Sequence, residues 1–200
     1  MEEKIDFLSK EYSIEGLLDT RSDAKGVVIT HPHPRYGGNI YNFVVGSIAQ
    51  AYQEHGHTTL RFNFRGVGES QGYYDEGVGE QNDVLAALSY LEKIGIKEID
   101  LAGYSFGAWI NAQVARKNIP VRNMIMVSPP VGFVNFNPTT SITSLKLVVT
   151  GGRDEIAPAH LIKKMLPAWN PNAVFEIIDG ADHFYGGYVD ELESVLSSYL

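Results

Sequence analysis

The sequence predicts an α/β fold in which a parallel sheet is covered by helices on both faces. From residue 26 onward, short strand-like runs alternate with longer segments whose apolar side chains have helical spacing. Residues 26–30 are a β-branched run and residues 145–150 are nearly all apolar, as in strands buried on both faces. Residues 40–54 and 80–94 have the helical spacing. This alternation is typical of right-handed βαβ crossovers, which place helices on both faces of a parallel sheet.

The first half of the chain contains a predicted hairpin, a further strand and a Gly-rich loop. Residues 4–9 and 13–19 look like two short strands, which predicts a hairpin before the alternation begins. After the first helix, residues 58–64 alternate apolar and polar side chains and are predicted to form a strand. A Gly-rich loop over residues 66–79 then leads to the second helix.

The second half continues the alternation to the end of the chain. Strands are predicted over residues 99–102, 124–127 and 174–178. Helices are predicted over residues 106–117, 158–166 and 189–199, the last of them amphipathic. Because ligands of such sheets bind beyond the carboxyl ends of the strands, the side chains found there are the candidates for function.

Length and composition predict one domain, residues 1–200. No repeat and no Pro/Gly/Ser-rich linker divides the chain, and 44% hydrophobic with 20% charged residues is an ordinary globular balance. The absence of cysteine excludes a thiol nucleophile, a disulfide framework and a thiolate metal site.

Charge and targeting signals limit the partners. The charged N-terminus has no apolar segment of the kind found in signal peptides, and no apolar run approaches the roughly 20 residues that span a bilayer, so we expect a cytoplasmic protein. A net charge of −8 with scattered Lys and Arg disfavours nucleic acid and anionic membranes. We therefore expect a small-molecule partner, with no nucleic acid and no membrane.

The segment Gly103-Tyr104-Ser105-Phe106-Gly107 has the G-x-S-x-G pattern between a predicted strand and a predicted helix. This context is typical of a nucleophile elbow, in which a strained turn projects the serine hydroxyl above the sheet. The alternative is a tight turn whose serine caps the helix. The pattern predicts Ser105 as a nucleophile.

A serine hydroxyl needs a base, and one histidine stands at the required place. His183 follows the last predicted strand in a Gly-containing loop, at the carboxyl end of a parallel strand. The other histidines have weaker positions, since His55 and His57 flank a helix end and are expected at the surface. His183 is therefore the predicted base.

The base in turn needs a carboxylate to orient it. Asp154 lies just beyond the seventh predicted strand, and the chain order Ser105, Asp154, His183 is that of the α/β-hydrolases. The competitors are Glu155, Asp179 and Asp182. We predict Asp154 as the acid.

Two backbone amides are predicted to form an oxyanion hole. One is that of Phe106, the residue after the nucleophile. The other should come from the loop after the third strand, where Pro32 and Pro34 have no N–H, so that His33 is preferred and Arg35 is the fallback. The spacing of His31 and His33 resembles a metal pair, but no third ligand is near in sequence and no metal is predicted.

Three residues near these positions are predicted as substrate contacts: Tyr36, Arg65 and Tyr104. Arg65 stands in a Gly-rich loop over residues 64–72 that lacks the Gly-Lys-Ser/Thr ending of a phosphate loop. The loop is interpreted as a constrained turn near the active site, in which Arg65 either anchors the turn or lines the mouth.

Five motifs resemble the α/β-hydrolase family, and most closely its small, lid-less members. They are His-Pro-His-Pro with Gly-Gly-Asn, Asn-Phe-Arg-Gly-Val-Gly-x-Ser-x-Gly, Gly-Tyr-Ser-Phe-Gly, Gly-x-x-Asp and Asp-His-Phe, at residues 31–39, 63–72, 103–107, 151–154 and 182–184. The resemblance implies an α/β-hydrolase fold with a mostly parallel eight-stranded sheet, an antiparallel second strand and serine esterase or related acyl-hydrolase activity.

The usual place for a lid holds only residues 129–144, which is too short for a cap domain. An open, shallow pocket for small or extended esters is expected, with lining candidates Tyr36, Tyr73, Trp109, Phe133 and Phe136. The predicted function is that of a carboxylesterase-like serine hydrolase without cofactor. A thioesterase, a small peptidase, a perhydrolase side activity and a non-catalytic binding protein are the alternatives, and a homodimer is compatible with the exposed sheet edges.

Overall fold

Eight strands and five α-helices follow one another in the computed structural model, which describes residues 2–117, 119–136 and 141–200. The strands are β1 (Glu3–Ser9), β2 (Tyr12–Asp19), β3 (Lys25–Thr30), β4 (Thr58–Phe62), β5 (Glu98–Tyr104), β6 (Met124–Val127), β7 (Leu145–Gly151) and β8 (Val174–Ile178). The helices are α1 (Phe43–Glu54), α2 (Val78–Lys93), α3 (Phe106–Ala115), α4 (Ala159–Trp169) and α5 (Val189–Ser197). A short 3-10 helix covers Pro34–Tyr36.

All eight strands join one sheet in the order β1-β2-β4-β3-β5-β6-β7-β8. β2 pairs antiparallel with both β1 and β4, and every other pairing is parallel. The expected mostly parallel eight-stranded sheet with an antiparallel second strand is confirmed. Its consequence for function is that the loops after β3 to β8 leave the sheet at one edge.

Helices cover both faces of the sheet, as predicted. α2, α3 and α4 pack on one face and α1 and α5 on the other. Successive residues of β3 alternate between the two layers: Val28 faces the first, and Val27 and Ile29 face the second. Because side chains of a strand point alternately to its two faces, a continuous apolar run is what a strand between two helical layers requires.

Several helix boundaries differ from the prediction, and two of the differences have a visible cause. The first helix begins at Phe43 rather than at residue 40, because the Asn42 side chain accepts hydrogen bonds from the Val44 and Val45 amides, at 3.0 and 3.4 Å. α4 continues past residue 166 to Trp169, whose buried ring packs against Phe136 at 5.2 Å between centroids. Within the described ranges, no helix combines the length and apolar character that a bilayer crossing needs.

A buried polar cluster lies at the amino-terminal edge of the sheet, opposite the predicted site. Asp100 of β5 accepts two hydrogen bonds of 2.8 Å from the Arg122 guanidinium, which also lies 3.2 Å from His57 Nε2. The Tyr52 hydroxyl also donates a hydrogen bond to Asp100, at 3.4 Å. The expectation of a surface position is wrong for His57, which is only 2% exposed because this cluster and the Tyr52 ring cover it.

His57 is therefore expected to make stability depend on pH. Burial lowers its pKa, the Arg122 and Lys25 charges act in the same direction, and Asp100 opposes them. The pKa of histidine in the unfolded chain is about 6.5, so above that pH His57 makes its full contribution to the free energy of unfolding. That contribution is lost as the pH falls through the lowered pKa of His57 in the folded protein.

Denaturant unfolding of wild type and His57→Gln between pH 8 and pH 4.5 checks this prediction. Below pH 6.5, the free energy of unfolding of the wild type should fall by up to about 1.4 kcal/mol more per pH unit than that of the variant. The reason is that the variant has no imidazole at residue 57 to protonate. Parallel curves for the two proteins would contradict it.

Candidate active site

Ser105 stands on a strained turn between β5 and α3. Its φ of 53° and ψ of −118° lie in a region that residues with side chains rarely adopt. The Ser105 N–H donates to the carbonyl of Val127 at 2.9 Å, and its C=O accepts from the Trp109 amide at 3.2 Å. The turn thus connects the end of β5 to the first turn of α3 without an intervening loop.

Gly103 and Gly107 allow this turn to approach β3. A Cβ atom on Gly107 would lie 2.5 Å from Thr30 Oγ1 and 2.6 Å from the Thr30 carbonyl oxygen. One on Gly103 would lie 2.6 Å from Asn111 Nδ2 and 2.8 Å from the Ala108 nitrogen. Only glycine fits at both positions, because backbone and short side chains occupy the space that a methyl group needs.

The structure brings Ser105, His183 and Asp154 together. His183 Nε2 is 2.9 Å from Ser105 Oγ, and His183 Nδ1 is 2.8 and 3.0 Å from the two carboxylate oxygens of Asp154. The three residues are 7%, 6% and 5% exposed, respectively. With its Nδ1–H donated to the carboxylate, the imidazole presents the lone pair of Nε2 to the serine hydroxyl.

Asp154 is held as an ionised carboxylate. Its Oδ1 accepts hydrogen bonds from the Ile156 and Ala157 amides at 2.9 and 2.7 Å. Burial acts to raise the pKa of Asp154, but the hydrogen bond and charge of His183, with further hydrogen bonds from Ala157 and Ser128, hold it below its ordinary value. The three competing acids, Glu155, Asp179 and Asp182, are exposed.

The loop after β3 carries the His33 amide, the second predicted oxyanion donor. The Arg35 amide donates to His33 Nδ1 at 3.2 Å, and the amides of the next three residues donate to backbone carbonyls. Among the described residues, the His33 N–H has no protein acceptor. Its ring packs on that of Phe106 with 4.7 Å between centroids, and the Phe106 amide lies in the first turn of α3, where amides have no intrahelical acceptor.

His31 connects the loop after β3 to the loop after β4, and no local sequence pattern indicates this role. It is fully buried, its Nδ1 donates to the Pro32 carbonyl at 2.6 Å, and its Nε2 accepts the Phe64 amide at 3.0 Å. Burial lowers the pKa of His31 to about 4, so the ring is neutral and fixed in one tautomer. Both nitrogens are used to connect the loops after β3 and β4.

The Gly-rich loop after β4 is fixed by its polar residues. Asn63 accepts the Ile40 amide at 2.8 Å and donates to the buried carboxylate of Glu15. Ser70 donates to the Asn63 carbonyl at 2.8 Å and accepts the Glu15 amide at 3.1 Å. These bonds explain the Asn and Ser of this motif as structural residues.

Arg65 is not placed to contact a substrate, and this expectation is corrected. The residue is 6% exposed, and its guanidinium forms a buried ion pair with Asp83 at 2.7 Å and lies 5.3 Å from the Tyr12 ring centroid. Charge burial requires such a partner, and α2 supplies it. Arg65 therefore anchors the loop, which is the other role considered for it.

Tyr104 also has a different place from the one expected. Its side chain is buried, and its hydroxyl donates to the carbonyl of His183 at 2.8 Å. It therefore holds the backbone of His183 instead of facing a substrate. Tyr36 is 86% exposed, lies against the His33 ring, and keeps its place as a substrate-contact candidate.

The expected pocket-lining residues divide in the same way. Phe136 is buried against Trp169 and belongs to the core, and Trp109 packs on Phe106. Tyr73 and Phe133 are exposed. Residues 137–140 of the connection between β6 and β7 lie outside the described part of the chain.

Comparison with known proteins agrees with this architecture. A family model for the alpha/beta hydrolase fold matches residues 33–146. An uncharacterized protein of Rickettsia prowazekii (strain Madrid E) is 32% identical over 209 residues, covering 98% of this chain and 88% of that protein. The chain belongs to the alpha/beta hydrolase family.

Two solved structures are similar over nearly their whole length. An alpha-beta serine hydrolase homologue from Coxiella burnetii is 37% identical with a TM-score of 0.91, covering 99% of this chain and 97% of that one. A Xanthomonas campestris protein, described as a serine hydrolase without lid, is 27% identical with a TM-score of 0.89, covering 98% and 92%. The fold is thus that of lid-less α/β-hydrolases.

Gly107→Ala is expected to destabilise the fold by about 1–3 kcal/mol, because the added methyl group would overlap Thr30. Gly46→Ala in α1 is the matched control, since its methyl group would come no closer than 3.9 Å to another residue and alanine favours a helix. Chemical denaturation measures both. Equal stabilities of the two variants would contradict the close approach of turn and strand.

Arg65→Met is expected to destabilise the protein by about 3–5 kcal/mol, because it leaves the buried Asp83 carboxylate without its partner. The double variant Arg65→Met/Asp83→Asn should recover most of that loss, since it removes the unpaired charge and keeps a side-chain oxygen for the Arg65 backbone amide. Denaturant unfolding of the three proteins tests this. If Arg65→Met unfolds like wild type, the ion pair does not anchor the loop.

Proposed function

We propose that this protein is a carboxylesterase-like serine hydrolase that acts through an acyl-enzyme, with Ser105 as nucleophile, His183 as general base and Asp154 as the orienting acid. The observation that carries the proposal is the continuous hydrogen-bonded series from Ser105 Oγ through His183 to Asp154, on a strained turn at the carboxyl edge of the sheet. These are the positions in which an α/β-hydrolase uses such side chains.

In the first half-reaction, Ser105 Oγ attacks the carbonyl carbon of the ester while its proton passes to His183 Nε2. Asp154 stabilises the resulting imidazolium and keeps the ring in place. The tetrahedral intermediate then breaks its bond to the leaving alcohol, which takes the proton from His183. The acyl group remains as an ester of Ser105.

Water completes the cycle by the same route. It attacks the acyl-enzyme while His183 takes its proton, and the intermediate releases the carboxylic acid as Ser105 Oγ regains the proton. In both halves the negative oxygen is expected to accept hydrogen bonds from the Phe106 and His33 amides. Loss of one such donor costs about 3–4 kcal/mol in the transition state.

The surroundings of the serine favour esters that need no enclosed tunnel. The connection from β6 to β7 is too short for a cap, and Tyr36, Phe133 and Phe184 are exposed in loops at the carboxyl edge. The lid-less description of the Xanthomonas campestris relative supports the same interpretation. A small-molecule ester or acyl compound is therefore the proposed substrate. A cytoplasmic location, one domain over residues 1–200 and a homodimer stay predictions.

Reaction with a fluorophosphonate probe tests the proposal. Wild type should gain the mass of one adduct, because only an activated serine attacks the phosphorus, and Ser105→Ala should gain none. Ester hydrolysis by Ser105→Ala should fall by about 10⁴- to 10⁶-fold.

Ser47→Ala is the matched control. Ser47 is a buried serine of α1, outside the site, and its variant should be labelled like wild type. A folded wild type that takes no adduct would contradict the enzymatic function and favour a binding role for the same fold.

A further inference from the structure

Two buried hydroxyl groups connect the end of β6 to the loop that carries His183. Ser128 follows β6, and Tyr185 lies two residues after His183. Their side-chain oxygens are 2.8 Å apart, and both residues are completely buried. Neither was singled out in the sequence, because no motif marks them and the strand ends alone do not show which of their side chains meet.

Backbone strain sets the same two residues apart. Five non-glycine residues in the described part of the chain have positive φ, and three of them are Ser105, Ser128 and Tyr185, with φ of 53°, 44° and 55°. The other two, Lys10 and Glu76, lie in exposed turns. Strained backbone persists where the surroundings over-determine it, most often at functional sites.

The Asp154 carboxylate interacts electrostatically with both hydroxyl groups. Ser128 acts on the pKa of Asp154 in the same direction as His183, and the negative charge of Asp154 raises the pKa of Tyr185.

The Ser128–Tyr185 hydrogen bond connects the end of β6 to the loop that carries His183. Asp154 already contacts His183 directly, and Tyr185 belongs to the same loop as His183. Tyr185 also packs edge-on against the ring of Tyr104, which holds the His183 carbonyl. Movement of this loop away from Asp154 would therefore break the Ser128–Tyr185 hydrogen bond as well as the one between His183 and Asp154.

We propose that Ser128 and Tyr185 are positioning residues that hold the His183 loop against the end of β6 and so keep His183 aligned between Asp154 and Ser105 for proton transfer. The inference rests on the proposed function. It distinguishes these hydroxyls from ordinary buried polar groups, whose removal would change stability and leave the reactivity of Ser105 unchanged.

The test is the rate of fluorophosphonate labelling in Tyr185→Phe and Ser128→Ala. Each change removes one hydroxyl and leaves the backbone strain of an L-residue in place. The maximal inactivation rate constant should fall about tenfold in each, with the half-saturating probe concentration unchanged within about twofold, because alignment and not binding is lost. The double variant should lose little more than the single ones, since the two residues act as one series.

Tyr52→Phe is the matched control. It also removes the hydroxyl of a buried tyrosine next to a carboxylate, but at the opposite edge of the sheet. It should lose stability as Tyr185→Phe does and be labelled at the wild-type rate. Denaturant unfolding of all variants runs in parallel, and Ser128→Ala carries the test if Tyr185→Phe does not fold.

The outcomes separate the inference from the function beneath it. If wild type is labelled and both variants are labelled at its rate, or lose only probe affinity, the positioning role is overturned while the serine hydrolase stands. If wild type is not labelled at Ser105, the proposed function fails, and the positioning role fails with it.

Discussion

The close contact between the Ser105 turn and the end of β3 is the constraint on which the site depends. Thr30 fills the space that side chains at Gly103 and Gly107 would need, so strand β5 can turn directly into α3. The same contact gives Ser105 its strained backbone and puts the first turn of α3 beside the loop that follows β3. The Ser105 side chain, the His33 loop and the N-terminus of α3 thus lie close together because Gly103 and Gly107 have no side chain.

Buried charge is the second constraint, and Asp154 is paired differently from Asp100 and Asp83. Asp100 forms an ion pair with the guanidinium of Arg122, and the buried Asp83 forms one with that of Arg65. Both carboxylates therefore have a partner that is always positively charged. Asp154 instead faces amides, hydroxyls and a histidine. A carboxylate whose partner is a titratable imidazole can stabilise a proton when it arrives, which a permanently paired one cannot do.

Much of the fold and the central part of the site could be predicted from the sequence. Ser105, Asp154 and His183 were found because each follows a predicted strand, and the carboxyl ends of parallel strands meet at one edge. The positions predicted for Arg65, Tyr104 and His57 were wrong, because the order of the strands does not determine which side chains are exposed. Whether a polar side chain is exposed depends on what packs over it, and Asp83, the His183 carbonyl and Arg122 are distant in sequence from the residues they contact.

The sequence by itself determined the strand and helix order, the parallel sheet, and which residues stand at its functional edge, because hydrophobic period and turn residues are local properties. Only the tertiary structure decided which hydroxyls, amides and rings complete the site. His31, Ser128 and Tyr185 acquire their roles from hydrogen bonds between separate loops. Such bonds depend on distances across the sheet edge, and no local pattern encodes those distances.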